Sequence, residues 1–253
     1  MAASKGIPVT DVRLLDTGCG TGSYLSALQQ TLGCQVHGLE FNSGMLAQSQ
    51  SQLGDRAVSL QQGSALAIPF GDNSFDVVLI TQVIHHLETP ESATGGAANT
   101  LGAFREMARV LKPGGVWMCN HSTPEQMREG YWWAELIREE MEAVILPRYL
   151  PMDKVNALLD AAGLVLPDAA VSEPEHLVAD SLVPKEIYLD IDGPLRADWR
   201  AQDSAFASVE QNASVLDARV AKIKEGDVDA FFAKKEAARE RVGQSLTIVR
   251  TKK

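Results

Sequence analysis

The 253-residue chain has a formal net charge of −10 and a hydrophobic fraction of 45%. This apolar content suffices for a full core, and the length fits one domain with insertions or with a small lid. The acidic balance argues against nucleic acid as a partner, because phosphate backbones are bound through basic patches. Three cysteines without close spacing indicate a reducing compartment, and no apolar run reaches the ~20 residues of a membrane span. Without a signal-peptide pattern at the N-terminus, the sequence predicts a cytoplasmic protein.

The first predicted element is a strand that runs into a glycine-rich turn and then a helix. Residues 12–22 read VRLLDTGCGTG, with three alternating glycines before the helical pattern. Such a turn lets a ligand lie against bare backbone, beside the unpaired amides of a helix N-terminus. The spacing departs from the dinucleotide fingerprint, because Ser23 occupies the place of its third glycine. The segment therefore indicates a nucleotide-like cofactor.

Strands and helices continue to alternate after this turn. The segment QVHGLE at 35–40 predicts a second strand, and its final residue, Glu40, can accept hydrogen bonds from ribose hydroxyls. A polar-free run at 77–80 predicts a buried parallel strand. A helix that ends at 111–115, LKPGG, leads into a further strand at 116–119. This alternation predicts an α/β fold with a doubly wound sheet.

The pattern loosens beyond the fifth strand. Helices are predicted at 125–145 and 153–162, and strands six and seven at 164–172 and 245–251. The stretch between these two strands is far longer than a hairpin turn, so we interpret it as a helical insertion that forms a lid. Its helix candidates are 198–211, 215–224 and 228–242. The loop at 89–100 is small and polar, and we expect it to be mobile.

These elements suggest a division of the chain into four parts. The first is a cofactor-binding α/β core, and the second combines a helical cap with the end of that core. The third is the helical insertion, and the fourth is the last strand of the core sheet. The predicted boundaries are 1–122, 123–172, 173–243 and 244–253.

Four segments carry a resemblance to a known family. They are DTGCGTG at 16–22, LEFNSGML at 39–46, ALAIPFGDNSFDVVLITQVIHHL at 65–87 and FREMARVLKPGG at 104–115. In this order and spacing they resemble the motifs of class I S-adenosylmethionine-dependent methyltransferases, in the subset that acts on small molecules. The resemblance implies a seven-stranded Rossmann-like sheet, S-adenosylmethionine as cofactor, and methyl transfer to a small organic acceptor by direct displacement.

The resemblance also implies roles in cofactor binding. Asp16 would interact with the ammonium of the methionine part and Glu40 with the ribose diol. Phe41 and Met45 would sandwich the adenine, with ordinary core packing as the alternative. Ser64 stands where many relatives have an acidic residue, so its bond to the adenine amino group would lack charge assistance. The full expected set is Asp16, Gly18, Cys19, Gly20, Gly22, Glu40, Phe41, Met45, Ser64, Ala65, Thr81, Gln82 and Val83.

The acceptor site is less specified. Displacement at a sulfonium requires alignment and exclusion of water, and a general base only for a hydroxyl acceptor. His85, His86 and His121 are candidate bases, with packing or orientation as the alternative. No nearby carboxylate or cysteine completes a ligand set with them, so we expect no metal. The candidates for acceptor binding are His86, His121, Tyr131, Trp132 and Trp199, with the lid core as the alternative for the aromatic residues.

Other functions stay open at this stage. A non-catalytic module that binds S-adenosylmethionine or a partner is favoured by the short segment before the first strand and by Ser64, and opposed by Asp16 and Glu40. The glycine spacing opposes a nicotinamide oxidoreductase, and the acidic balance opposes a nucleic-acid methyltransferase. Arsenic methylation normally demands several cysteines near the acceptor, and only Cys119 is available for that. The sequence leaves the acceptor and the oligomeric state open.

Overall fold

The computed structural model describes residues 7–54, 56, 58–88, 97–167, 177–178, 188–201, 204–208 and 213–253. The chain divides into two compact units. The core unit comprises Met1–His121, Met152–His176 and Thr247–Lys253, and the helical unit comprises Ser122–Pro151 and Leu177–Leu246. Among the described residues, no helix combines the length and the apolar character needed to cross a bilayer.

Eight strands and ten α-helices are found in the described part of the chain. The strands are β1 (Arg13–Thr17), β2 (Gln35–Glu40), β3 (Val58–Gln62), β4 (Phe75–Thr81), β5 (Leu111–His121), β6 (Leu164–Val165), β7 (Leu177–Val178) and β8 (Leu246–Lys252). The helices are α1 (Ser23–Leu32), α2 (Ser43–Leu53), α3 (Ile84–Leu87), α4 (Ala98–Val110), α5 (Pro124–Glu129), α6 (Arg138–Glu140), α7 (Met152–Ala161), α8 (Ala197–Arg200), α9 (Ala213–Lys224) and α10 (Val228–Val242).

The core unit is built on one sheet with the strand order β3-β2-β1-β4-β5-β8-β6. The first five strands pair in parallel, and β6 pairs antiparallel with β8. The chain leaves β1 towards β2 on one side and later returns to place β4 on the other. This reversal is a topological switch point, where open α/β sheets bind ligands beyond the carboxyl ends of their strands. The predicted doubly wound, seven-stranded Rossmann-like sheet is confirmed.

Apolar side chains cover both faces of this sheet. On one face, Leu25 of α1 and Leu53 of α2 pack with Leu14 and Val36 of the first two strands. Trp117 of β5 is fully buried, and its Nε1 donates to Met107 Sδ of α4 at 3.2 Å. Because parallel strands are buried on both faces, their sequences tend to read as apolar runs, and such a run at 77–80 predicted β4.

The start of β5 differs from the prediction. The helix ends at Val110, and the strand begins at Leu111 rather than after the LKPGG segment. Phe75 pairs with Leu111 and Val77 with Val116, so the intervening residues of β5 form a bulge. Lys112 from this bulge binds Asp76 at 2.9 Å. The proline and glycines of the LKPGG segment therefore lie inside a strand. Local sequence signals predict a turn for such residues, so they do not predict this bulge.

The predicted helix at 125–145 is wrong as a continuous element. The structure divides it into α5, a 3-10 turn, α6 and a π-helical turn, followed by another 3-10 turn. At the first break, Tyr188 Oη donates to Gly130 O at 3.0 Å and accepts from Trp132 N–H at 3.1 Å. A Cβ at Gly130 would lie 2.3 Å from Gly243 O. Partners more than fifty residues away in sequence therefore satisfy the backbone at the break. The non-α turns are Trp132–Glu135, Met141–Ile145 and Leu146–Arg148.

The other C-terminal predictions have mixed outcomes. The helices predicted at 153–162, 215–224 and 228–242 are confirmed as α7, α9 and α10, and the strand at 245–251 is confirmed as β8. The sixth strand ends at Val165, and residues 168–172 lie outside the described residues. The helix predicted at 198–211 is only partly present, as α8 and a 3-10 turn at Ser204–Ser208, with 202–203 and 209–211 undescribed. Most of the loop predicted at 89–100, residues 89–96, also lies outside them, and α4 already begins at Ala98.

Candidate active site

The turn between β1 and α1 is shaped by glycines with positive φ. Gly18 has φ +86° and Gly22 has φ +83°, a region that disfavours other residues. A Cβ at Gly18 would lie 2.6 Å from Val83 Cγ2, and one at Gly22 would lie 2.3 Å from Ser49 Oγ. The turn is therefore in direct contact with the end of β4 on one side and with α2 on the other. Glycine is required at both positions for conformation and for space.

Glu40 connects this turn to the start of α2. It ends β2, is 7% exposed, and accepts from Gly20 N–H and Asn42 N–H at 2.8 Å each. Asn42 in turn caps α2 by accepting from the main-chain N–H groups of Gly44 and Met45. A carboxylate has about four acceptor positions, so two hydroxyl groups can be accommodated beside the two amides. Glu40 therefore lies at the switch point with capacity to accept two further hydrogen bonds.

Asp16 is a buried carboxylate at the carboxyl end of β1. It is 2% exposed, and its Oδ1 has no hydrogen-bond partner among the described residues. Burial, assisted by the negative charge of Glu40, raises the pKa of Asp16 to about 7 from its ordinary value of 3.8. A buried carboxylate without a donor is costly, and a bound cation would relieve that cost. Asp16 therefore fits the cationic group of a ligand.

Two apolar side chains are exposed beside the glycine turn. Phe41 is 73% exposed and Met45 is 42% exposed, although both lie next to the buried end of β2. Met45 Cε lies 3.3 Å from the Cβ position of Gly20, so this side chain faces the turn. Their exposure does not fit the alternative of core packing. An aromatic ring and a polarizable thioether provide a surface for a flat heterocycle.

Ser64, Ala65 and Cys19 complete the nucleotide side of the site. Ser64 is half-buried, and its Oγ accepts from Leu66 N–H at 3.1 Å, so one acceptor position of the hydroxyl is taken within its own loop. Ala65 is half-buried beside it. Cys19 is buried with Sγ directed beneath the turn towards Gly38, and burial together with Asp16 and Glu40 raises its pKa to about 12. A protonated, buried thiol of this kind leaves only the backbone of Cys19 to face a ligand.

The end of β4 holds Thr81, Gln82 and Val83, all half-buried. Gln82 has φ +53°, an uncommon conformation for a residue with a side chain. Gln82 N–H donates to Asn120 O at 2.9 Å, and Gln82 Nε2 donates to Asn120 Oδ1 at 2.7 Å. The sequence did not indicate Asn120 as a residue of the site. Its only signal is that it directly follows the apolar run of β5.

The three candidate bases lie at the carboxyl ends of β4 and β5. His85 is buried and His86 is exposed, and their ring centroids are 4.1 Å apart. His121 is buried as the last residue of β5. In the part of the chain that the structure describes, no group of three His, Cys, Asp or Glu residues is arranged to hold a metal ion. Of the three histidines, only His86 is exposed.

The aromatic candidates for acceptor binding belong to the helical unit. Trp132 is 1% exposed, its Nε1 donates to Tyr188 O, and its ring lies 5.2 Å from that of Phe232. Trp199 is buried in the same apolar cluster. This burial matches the alternative that assigned the two tryptophans to a core. Tyr131 is half-buried, with its ring 5.0 Å from that of Trp133.

Comparisons with known proteins support this description. Residues 15–119 match the family model of a methyltransferase domain. The chain is 35% identical over 128 residues to demethylmenaquinone methyltransferase of Clavibacter sepedonicus, covering 49% of this chain and 48% of the relative. The corresponding protein of Bacillus pumilus is 31% identical over 128 residues, covering 47% and 50%. The fold is similar to a solved structure from Anabaena variabilis, which is described as a methyltransferase from an antibiotic biosynthesis pathway. The TM-score is 0.69 at 20% identity, and the alignment covers 96% of this chain and 92% of that chain.

The sheet order, the glycine turn and the strand-end carboxylates define a Rossmann-like domain with the features of a nucleotide site. The family match is more specific, because residues 15–119 match the model of a methyltransferase domain. The resemblance that the four sequence segments indicated is confirmed. The chain spans about half the length of the curated relatives that it matches.

Proposed function

We propose that this protein is an S-adenosylmethionine-dependent methyltransferase that acts on a small organic acceptor. The observation that carries the proposal is the pair of buried carboxylates around the glycine turn. Glu40 has capacity for two hydroxyl groups, and Asp16 lacks a hydrogen-bond donor at Oδ1 among the described residues. These are the partners that a ribose diol and an ammonium group require.

The other residues of the site fit the same cofactor. Phe41 and Met45 offer the adenine an exposed apolar surface, and Ser64 and Ala65 lie in the loop after β3. The backbone of Gly18, Gly20 and Gly22 permits close approach, and Thr81, Gln82 and Val83 are assigned to the methionine end. When bound, S-adenosylmethionine supplies a methyl carbon made electrophilic by its sulfonium. The residues of this chain hold and align the reactants and keep water out.

The acceptor class follows from the relatives and from charge. The curated relatives are named for methylation of demethylmenaquinone, so this quinone is the first acceptor to assay here. The net charge of −10 favours a small molecule over nucleic acid. A hydroxyl acceptor would need a general base, and His86 is the exposed candidate, with His85 and His121 as buried alternatives. We retain Tyr131 as the most exposed of the proposed aromatic acceptor contacts.

The proposal is tested by transfer of label from methyl-labelled S-adenosylmethionine. The purified chain is incubated with demethylmenaquinone and, separately, with a metabolite extract. We expect a labelled product from one of these pools, and at least a tenfold lower rate for Glu40→Ala at limiting cofactor. Glu139→Ala, an exposed glutamate of the helical unit, is the control and should behave like the wild type.

A second candidate is the module that binds the cofactor without catalysis. It predicts S-adenosylhomocysteine binding that depends on Glu40, with no labelled product in either pool. The two candidates therefore agree on binding and differ only in turnover. Absence of both binding and turnover would contradict both of them.

A further inference from the structure

The most unusual backbone feature at the switch point is the left-handed conformation of Gln82. Three residues other than glycine have positive φ in the described part of the chain: Asn73, Gln82 and Ala97. Of these, only Gln82 directly follows a strand at the switch point. Such a conformation persists only where neighbouring groups enforce it, and it is common at functional sites.

The neighbouring group here is Asn120, which holds Gln82 by accepting two hydrogen bonds from it. Thr81 and Asn120 are partners in the β4–β5 register, so Gln82 is the first residue beyond the pairing. The main-chain oxygen of Asn120 accepts from Gln82 N–H at 2.9 Å. Its Oδ1 accepts from Gln82 Nε2 at 2.7 Å. Both the backbone and the side chain of Gln82 are thus held from the neighbouring strand.

The consequence of this turn lies one residue further on. Val83 packs directly on the glycine turn, with Cγ2 only 2.6 Å from the position that a Cβ on Gly18 would take. A different φ at Gln82 would move Val83 away from Gly18. The contacts from Asn120 to Gln82 and from Val83 to Gly18 therefore connect β5 to the glycine turn, whose backbone the cofactor would contact.

We infer that Asn120 is a positioning residue of the cofactor site, acting through Gln82 and Val83 on the glycine turn. This inference rests on the proposed function, because it assigns Asn120 a role in holding the same cofactor. Asn120 itself need not touch the cofactor. Its effect is to keep Val83 against Gly18, so that the turn has its binding shape before the ligand arrives.

The test compares two substitutions of similar size at Asn120. Asn120→Leu removes the side-chain acceptor, whereas Asn120→Asp keeps an oxygen that can accept from Gln82 Nε2. The dissociation constant of S-adenosylhomocysteine is measured by calorimetry for each, together with the melting temperature. We expect affinity to fall at least fivefold in Asn120→Leu and to stay within about twofold of the wild type in Asn120→Asp.

A double-mutant cycle tests whether the effect passes through Gln82. Glycine adopts the left-handed conformation without help, so Gln82→Gly makes the turn less dependent on Asn120. Asn120→Leu should then lower the affinity less than twofold in the Gln82→Gly background. Val83→Ala tests the far end of the same connection and should weaken binding even if Asn120→Leu proves unstable.

The outcomes separate this inference from the proposed function. If the wild type binds S-adenosylhomocysteine and both Asn120→Leu and Val83→Ala bind equally well, the inference is wrong and the proposed function stands. Equal losses in Asn120→Leu and Asn120→Asp, or a melting temperature that falls while affinity holds, also overturn it. A folded wild type that binds no S-adenosylhomocysteine removes the proposed function and this inference together.

Discussion

At the scale of one residue, Asp16 is a buried carboxylate with the chemistry to take a cationic ligand. The sequence predicted a strand-end carboxylate, and the structure adds that its Oδ1 is buried without a hydrogen-bond donor among the described residues. In the folded chain its pKa is about 7, against 3.8 ordinarily. Ionisation of Asp16 therefore opposes folding and favours a cationic ligand.

The pH dependence of stability follows from this shift. Between pH 3.8 and 7 the folded state binds a proton at Asp16 that the unfolded state has lost. The stabilisation is full below that range and is lost as the pH rises through about 7. From pH 5 to 8, the unfolding free energy of the wild type should fall by about 2–3 kcal/mol relative to that of Asp16→Asn. Urea unfolding of both proteins measures this, and parallel pH profiles would show that Asp16 is not the group responsible.

Ligand binding should show the opposite dependence. A ligand ammonium interacts best with ionised Asp16, so the affinity for S-adenosylhomocysteine should rise by up to about tenfold between pH 6 and 8. Asp16→Asn should lose this dependence and bind more weakly at pH 8. Calorimetry at three pH values distinguishes the two proteins. A rise that persists in Asp16→Asn would have to come from another group.

At the scale of elements, the glycine turn combines conformational and packing requirements. Gly22 has φ +83°, and a Cβ there would lie 2.3 Å from Ser49 Oγ. Gly33 has φ +65° but no atom within 4 Å of the position that a Cβ would take. Its substitution therefore measures the conformational cost of the positive φ without a steric clash. Gly33→Ala should cost about 1 kcal/mol, and Gly22→Ala about 1–3 kcal/mol more, because the Ser49 and Leu53 side chains of α2 must give way. Equal losses in urea unfolding would contradict the packing argument.

The break after α5 gives a prediction for the helical unit. Tyr188 Oη contacts both Gly130 O and Trp132 N–H, and all three residues are buried. Tyr188→Phe leaves the buried Trp132 N–H without its acceptor, while Gly130 O keeps the bond that Gln244 Nε2 donates at 3.1 Å, and the change should cost about 1–3 kcal/mol. Tyr24→Phe, an exposed tyrosine of the core unit, is the control and should change stability little. Tryptophan fluorescence during urea unfolding measures both.

These two elements also show what the sequence could and could not predict. The turn and its flanking strands were predicted closely, because the glycine spacing and apolar runs are local signals. The broken segment at 125–145 was not, because Tyr188, far away in sequence, bonds to the backbone at its first break, where Gly243 also lies close to Gly130. Asn120 was missed for the same reason, since its significance depends on its pairing with Gln82 across two strands.

At the scale of the whole molecule, the two units differ in how much the comparisons say about them. The family match at residues 15–119 lies within the core unit, where the proposed cofactor residues also lie. The helical unit holds a separate apolar core with Trp132, Trp199 and Phe206 at its centre. We therefore expect cofactor chemistry to be shared with the relatives, and the acceptor to be determined by experiment on this chain.

Calorimetric titration of the purified chain with S-adenosylhomocysteine, alongside Glu40→Ala and Glu139→Ala, tests the central claim most directly. Glu40 accepts from Gly20 N–H and Asn42 N–H and is assigned to the ribose diol, whereas Glu139 is exposed in the helical unit. We predict micromolar binding by the wild type and by Glu139→Ala, with at least a tenfold loss in Glu40→Ala. No binding to a well-folded wild type, or equal binding by all three proteins, would contradict the account.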